Sequence, residues 1–145
     1  MNINIKKRFK KKVLIIGGPD VHARIRLINQ LKYDFSFECA GSDINIKDKF
    51  LDNDIKFYFY PLNLGLNIYR DLLSLVSLIR IIFKSSPDIV HTFDTKPNIY
   101  GRLAAKICNV KIIIGTQPGL GMVFSKYKPV FGSIGRLLFK MLVKL

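Results

Sequence analysis

Five short apolar runs recur along the chain, over 13–16, 35–40, 56–60, 89–92 and 111–115, and most of the gaps between them carry helical spacing. Strands that alternate with helices cannot pair through tight hairpins, so each crosses over and lies parallel to its neighbours. The expected fold class is α/β: a Rossmann-like parallel sheet with helices on both faces. The first helix is expected over 21–32, burying Ile25, Ile28 and Leu31. The most regular pattern lies over 68–84, where Ile68, Leu72, Leu75, Val76, Ile79, Ile82 and Phe83 fall at three-and-four spacing and predict one buried face. Ser85, Ser86 and Pro87 stop it. Pro97 reads as a first-position proline opening the next helix, which runs through Tyr100, Leu103, Ala104 and Ile107 to Asn109, a residue suited to a left-handed terminus. Gly101 inside that helix costs about 1 kcal/mol relative to alanine, and close packing on the sheet is the expected compensation. A last helix, basic and amphipathic, is expected over 131–145.

In open parallel sheets, ligands sit beyond the carboxyl ends of the strands. Here those ends are polar or glycine-rich: Gly17, Gly18, Pro19 and Asp20 after the first run, His91, Thr92 and Asp94 at the fourth, and Thr116, Gln117, Pro118, Gly119 and Gly121 after the fifth. Two such exits side by side frame one cleft. The turn at Gly17 and Gly18 brings backbone amides toward a helix start, where a phosphate can sit, although it equally serves as a tight turn alone. The three-glycine dinucleotide fingerprint is absent, since Pro19, Asp20, Val21 and His22 follow, so a nicotinamide cofactor is not indicated. His22 reads as a solvated helix-start residue.

The stretch 87–125 resembles the N-terminal half of the family 4 (group 1) glycosyltransferases, enzymes of GT-B architecture. Pro87, Asp88, Ile89, Val90 and His91, then Lys96 and Pro97, then Gly101, Arg102, Leu103, Ala104 and Ala105 match the family's fourth strand and the helix after it. A looser resemblance runs from Lys12 to the end of the chain. It implies an enzyme of two Rossmann-like halves with the active site between them, moving a sugar from a nucleotide diphosphate to an acceptor that is often lipid-linked, usually with retention. It implies no cofactor, the nucleotide sugar being a substrate, and no required metal; the sequence shows neither a carboxylate pair nor Cys and His at zinc spacing. In the family the first loop lines the cleft near the donor phosphates, which carries over to Gly17 and Gly18. His91, at a strand end, is the candidate catalytic residue, with a hydrogen-bonded structural histidine as the alternative. Lys96 would pair with phosphate or sugar hydroxyls, or stand as an exposed lysine. The family commonly places a histidine where Pro118 stands, and a proline supplies neither acid-base chemistry nor a sugar contact. Gln117 as a sugar ligand, and the amides of Gly119 and Gly121 toward a phosphate, are the candidates that remain.

A chain of 145 residues, with 49% hydrophobic and 23% charged, has enough apolar material for one core. It is expected to divide into a basic arm, 1–11, and one domain, 12–145, which the resemblance implies is the acceptor-side half with the donor domain missing. Lysine and arginine total 24 against 10 acidic residues, a net charge of +14 that attracts polyanions or an anionic membrane. The cluster Lys6, Lys7, Arg8, Lys10, Lys11 and Lys12 is either a membrane-binding arm or a solvated tail, and the 131–145 helix either approaches the membrane or packs on its own sheet. No nucleic-acid reader motif accompanies the charge, so no specific nucleic-acid partner is expected. The apolar run 13–16 is too short for a signal peptide, and 72–83, interrupted by Ser74, Ser77 and Arg80, is too short to span a bilayer. Cys39 and Cys108 read as buried thiols of a reducing cytoplasm. The expected function is thus the acceptor-binding part of a glycosyltransferase acting on a cell-surface glycan such as lipopolysaccharide or capsule, truncated and inactive without its donor half. It would lie in the cytoplasm, at most peripheral on the inner membrane face. The alternative is a non-catalytic accessory or membrane-binding module that pairs with a separate donor-domain protein.

Overall fold

A computed structural model describes residues 10–63, 65 and 67–117. Pro118, Gly119, Gly121, the helix expected over 131–145 and most of the basic arm lie outside the described residues. Five parallel strands, β1 (Lys11–Ile16), β2 (Phe35–Gly41), β3 (Lys56–Phe59), β4 (Ile89–Phe93) and β5 (Ile112–Thr116), form one sheet in the order β3-β2-β1-β4-β5. The helices are α1 (Ile25–Leu31), preceded by a 3-10 turn at Val21–Arg24, α2 (Lys47–Leu51), α3 (Ile68–Ser85) and α4 (Thr95–Ile107). The α/β class with helices on both faces is what the alternating runs require.

Strand alternation assigns the faces. On β1, Leu14 and Ile16 join Leu78, Ile81 and Ile82 of α3 and Ala104 and Ala105 of α4 in one core. Val13 and Ile15 join Ile28 of α1 and Phe50 of α2 in the other. Leu14, Ile15 and Ile16 are fully buried, each worth about 1.5–3 kcal/mol over exposure. Strand β1 begins at Lys11, so the end of the lysine cluster belongs to the sheet: the Nζ of Lys12 donates to the Ser85 carbonyl at 2.8 Å and lies 3.8 Å from buried Glu38.

Three details differ from the sequence expectation. Ile28 of α1 is buried, but Leu31 is 36% exposed, because each three-residue step falls about 60° short of a full helical turn and carries Leu31 off the buried face. In α3 the buried positions are Ser74, Leu78, Ile81, Ile82 and Ser85, and much of the expected face points outward, with Ile68 90% and Phe83 76% exposed. The helix is apolar on two sides, and Ser74 marks the one that meets the sheet: its hydroxyl donates to the Pro61 carbonyl, and at the far end of the same side the main-chain carbonyl of Ser85 receives Lys12. Helix α4 starts two residues before Pro97, which therefore sits in the first turn, where its missing N–H removes no helical bond.

The helix ends follow local chemistry. Asn67 caps α3, its side chain accepting from the Arg70 amide at 3.0 Å. At the end of α4, Asn109 takes φ 55°, and the amides of Asn109 and Val110 donate to the carbonyls of Lys106 and Ala105, a Schellman closure. A Cβ on Gly101 would lie 2.7 Å from Thr92 Cγ2, so the glycine lets α4 pack directly on β4. Among the described residues β5 is an outer strand, with Ile112 and Ile114 exposed.

Candidate ligand groove at the strand ends

Strand register brings three exits together. Ile16 is paired with Thr92, Thr92 with Gly115 and Phe93 with Thr116, so the segments that follow β1, β4 and β5 leave the sheet side by side. From β1 the chain proceeds outward to β2 and β3, and from β4 it proceeds to β5 on the other side; the β1/β4 boundary is where strand order reverses, the position at which parallel sheets open a ligand crevice.

Gly17 and Gly18 form the β1 lip and are held from three directions. The Gly17 amide donates to the Ala40 carbonyl at 3.0 Å, and the buried hydroxyl of Tyr60 donates to the Gly17 carbonyl at 2.9 Å. The Gly18 amide donates to Oδ2 of Asp94 at 3.3 Å. Gly17 is required by proximity: a Cβ there would lie 2.7 Å from Val21 Cγ2. Burial, and secondarily the Asp94 charge, push the Tyr60 phenol up, so it remains a donor throughout the physiological range. Asp94 itself stands at φ 71°, ψ 166°, a backbone region that side-chain-bearing residues rarely occupy.

His91 lies on the α1 face of β4, two residues before the strand ends. Its Nε2 shares a 2.9 Å hydrogen bond with the Thr116 hydroxyl of β5, and its ring lies 4.2 Å from that of Phe93, over which the Arg24 guanidinium sits at 4.4 Å. Burial and then the Arg24 charge lower its pKa, so the imidazole is neutral at pH 7. A neutral imidazole both donates and accepts, which suits it to a sugar hydroxyl or to general base chemistry.

The β5 exit is organised by a residue that sequence reasoning missed. Asn98, buried on the sheet side of α4, accepts from the Thr92 hydroxyl and donates to the Thr116 carbonyl at 2.9 Å and to Gln117 Oε1 at 3.4 Å. Gln117 Nε2 donates to the Thr95 hydroxyl at 3.1 Å. The available signal was the spacing of Asn98, Gly101 and Ala105, which puts an amide on the stripe that meets the sheet. Lys96 is engaged elsewhere: its Nζ lies 2.7 Å from Asp71 Oδ1 and also donates to the Gly65 carbonyl, tying the start of α4 to the start of α3. Gly17, Gly18, His91 and Gln117 are thus gathered at the β1, β4 and β5 ends, while Lys96 braces one side of the groove. A separate cavity of about 350 Å³, lined by residues such as Phe83, Pro87 and Lys111, lies at the opposite end of the strands. Among the described residues no three His, Cys, Asp or Glu side chains gather as a metal site.

Fold and groove together define a Rossmann-like domain of the GT-B type. The chain belongs to the glycosyl transferase 4-like family, whose model matches residues 12–144. It is 33% identical, over 105 residues, to the Escherichia coli UDP-Gal:alpha-D-GlcNAc-diphosphoundecaprenol alpha-1,3-galactosyltransferase, covering 72% of this chain and 27% of that protein. Among solved structures, Staphylococcus aureus MnaA with UDP superposes with a TM-score of 0.63 at 23% identity, covering 91% of this chain and 37% of that one. Acinetobacter baumannii MurG superposes with a TM-score of 0.56 at 19% identity, covering 72% and 34%. These likenesses are of fold. The chain spans 27% of the length of the galactosyltransferase it matches.

Proposed function

We propose that residues 12–145 are the acceptor-side half of a glycosyltransferase that moves a sugar from a nucleotide-sugar donor to a lipid-linked acceptor of a cell-surface glycan. The observation that carries this is the kinship with a galactosyltransferase whose acceptor is a GlcNAc-diphosphoundecaprenol. It is supported by the groove, where three strand ends converge around a neutral imidazole and a set of polar side chains held in place by their neighbours. In this reading Gly17 and Gly18 line the cleft where the acceptor meets the donor phosphates, and His91 and Gln117 receive sugar hydroxyls, with His91 the candidate base. Gly119 and Gly121, outside the described residues, are the proposed phosphate ligands. Lys96, already paired with Asp71, keeps the groove wall in place rather than meeting substrate directly.

A donor half, in the same polypeptide or in a separate one, would grip the nucleotide and stabilise the departing diphosphate. No cofactor beyond the nucleotide sugar is needed. A lipid-linked acceptor is met at a membrane surface, so the protein would work on the cytoplasmic face as a peripheral protein, and the net charge of +14 favours that side. Among the described residues no helix is long and apolar enough to cross the membrane.

The test presents the purified 145-residue chain with a UDP-sugar and, separately, with a short-chain N-acetylglucosaminyl diphosphoprenol. The proposal expects measurable binding of the acceptor, far weaker binding of the UDP-sugar, and neither transfer nor hydrolysis. Tight UDP-sugar binding without acceptor binding would overturn the acceptor-side assignment, and sugar transfer by the chain alone would overturn its dependence on a donor half.

A further inference from the structure

We propose that the outward face of α3 is a membrane-contact surface that lies on an anionic lipid bilayer. Helix α3 buries one side and leaves a second apolar side in solvent: Ile68, Tyr69, Leu72, Leu73, Val76 and Phe83 are 90%, 72%, 56%, 43%, 36% and 76% exposed. At 100° per residue, Tyr69, Leu72, Leu73, Val76 and Phe83 fall within one stripe opposite buried Leu78. A contiguous apolar stripe of this kind on a surface helix marks an interaction site rather than scattered exposure.

Charge identifies the occupant. Arg80 stands within the stripe, and Lys84 and Arg70 lie along its one edge, beyond Leu73, all three exposed. The one acidic residue of the helix, Asp71, is turned away and paired with Lys96. Apolar side chains with one cation among them and two along one edge, and no free carboxylate, are complementary to acyl chains beneath anionic headgroups. A second copy of the chain would bring the same cations against one another in a two-fold contact. Helix α3 starts after Asn67, at the groove end of the sheet, and its 18 residues extend about 27 Å away from the end a donor lobe would face.

Resting on the lipid-side placement above, this inference has a test that uses neither donor nor acceptor, so the two fail separately. The chain has no tryptophan, which makes Tyr69→Trp a single reporter at an exposed position. With vesicles of phosphatidylethanolamine and phosphatidylglycerol its emission is expected to shift to the blue and to be quenched by brominated acyl chains, and with phosphatidylcholine alone to change little. Leu72→Gln with Phe83→Gln, which leaves the charge unchanged, is expected to weaken partition roughly tenfold; if that variant fails to fold, the reporter decides alone. Co-sedimentation with anionic vesicles without a blue shift would assign binding to the basic arm and overturn the proposal. A lipid-free blue shift would overturn it too, meaning a second copy if it grows with protein concentration and cover by another part of the chain if it does not.

Discussion

Asp94 and Gly18 join two strand exits: the carboxylate accepts the Gly18 amide at 3.3 Å, and Asp94 holds φ 71°, ψ 166° at the junction where it does so. A residue with a Cβ in that region costs about 1–3 kcal/mol, a strain the rest of the fold sustains. The β1 lip is therefore fixed to the start of α4, not left as a free glycine loop, and the groove floor is preformed.

Replacing Asp94 separates strain from hydrogen bonding. Asp94→Ala keeps the strained backbone and loses the contact, so it should lose about 1 kcal/mol. Asp94→Gly loses the same contact but relieves the strain, and should be more stable than the alanine variant by about 1 kcal/mol or more, against the usual preference for alanine. Urea midpoints of the two variants measure the difference.

Gly101→Ala sets helix propensity against packing. Propensity alone would add about 1 kcal/mol, while the new Cβ, 2.7 Å from Thr92 Cγ2, forces overpacking that costs about 1–3 kcal/mol. A net loss of stability in urea melts is expected; a gain would mean that α4 does not press on β4.

His91 makes stability depend on pH in a defined window. Its folded pKa is lowered from 6.5 by burial and by Arg24. Below the unfolded value the unfolded chain takes up a proton that the native state refuses, so this contribution is lost as pH falls through about 6.5 and the loss levels off beneath the folded pKa. Denaturation at a series of pH values between about 7 and about 5 should show this slope, and His91→Gln should reduce it.

The two thiols should differ in reactivity. Burial, with a smaller contribution from Glu38, pushes the Cys39 thiol far up, whereas Cys108 is half-buried and raised less, by burial alone. Alkylation of the native chain at mildly alkaline pH, read by peptide mass spectrometry, should label Cys108 first and Cys39 only on unfolding.

Much of this fold is legible in the residues themselves. Short apolar runs announce the strands, and Gly101 and Asn109 disclose a close contact and a helix end because each has a local chemical reason. The α3 face was not legible, since hydrophobic spacing counts apolar residues without saying which of two apolar sides meets the sheet; the contacts of the Ser74 hydroxyl with the Pro61 carbonyl, and of Lys12 with the main-chain carbonyl at Ser85, lie on the side that does. In the groove, the strand ends marked Gly17, Gly18, His91 and Gln117. The employment of Lys96 by Asp71, the hub role of Asn98 and the strain at Asp94 depend on neighbours remote in sequence, which no local pattern records.

The central claim is that the converging ends of β1, β4 and β5 receive the acceptor. Its most direct test is a titration of the isotope-labelled chain with a short-chain N-acetylglucosaminyl diphosphoprenol, followed through backbone amide resonances. The account predicts shifts concentrated at Gly17, Gly18, Asp94 and Gln117, with little change at Asp88, Asn109 and Lys111 at the opposite end of the strands. Shifts confined to that opposite end, or none at saturating ligand, would contradict it.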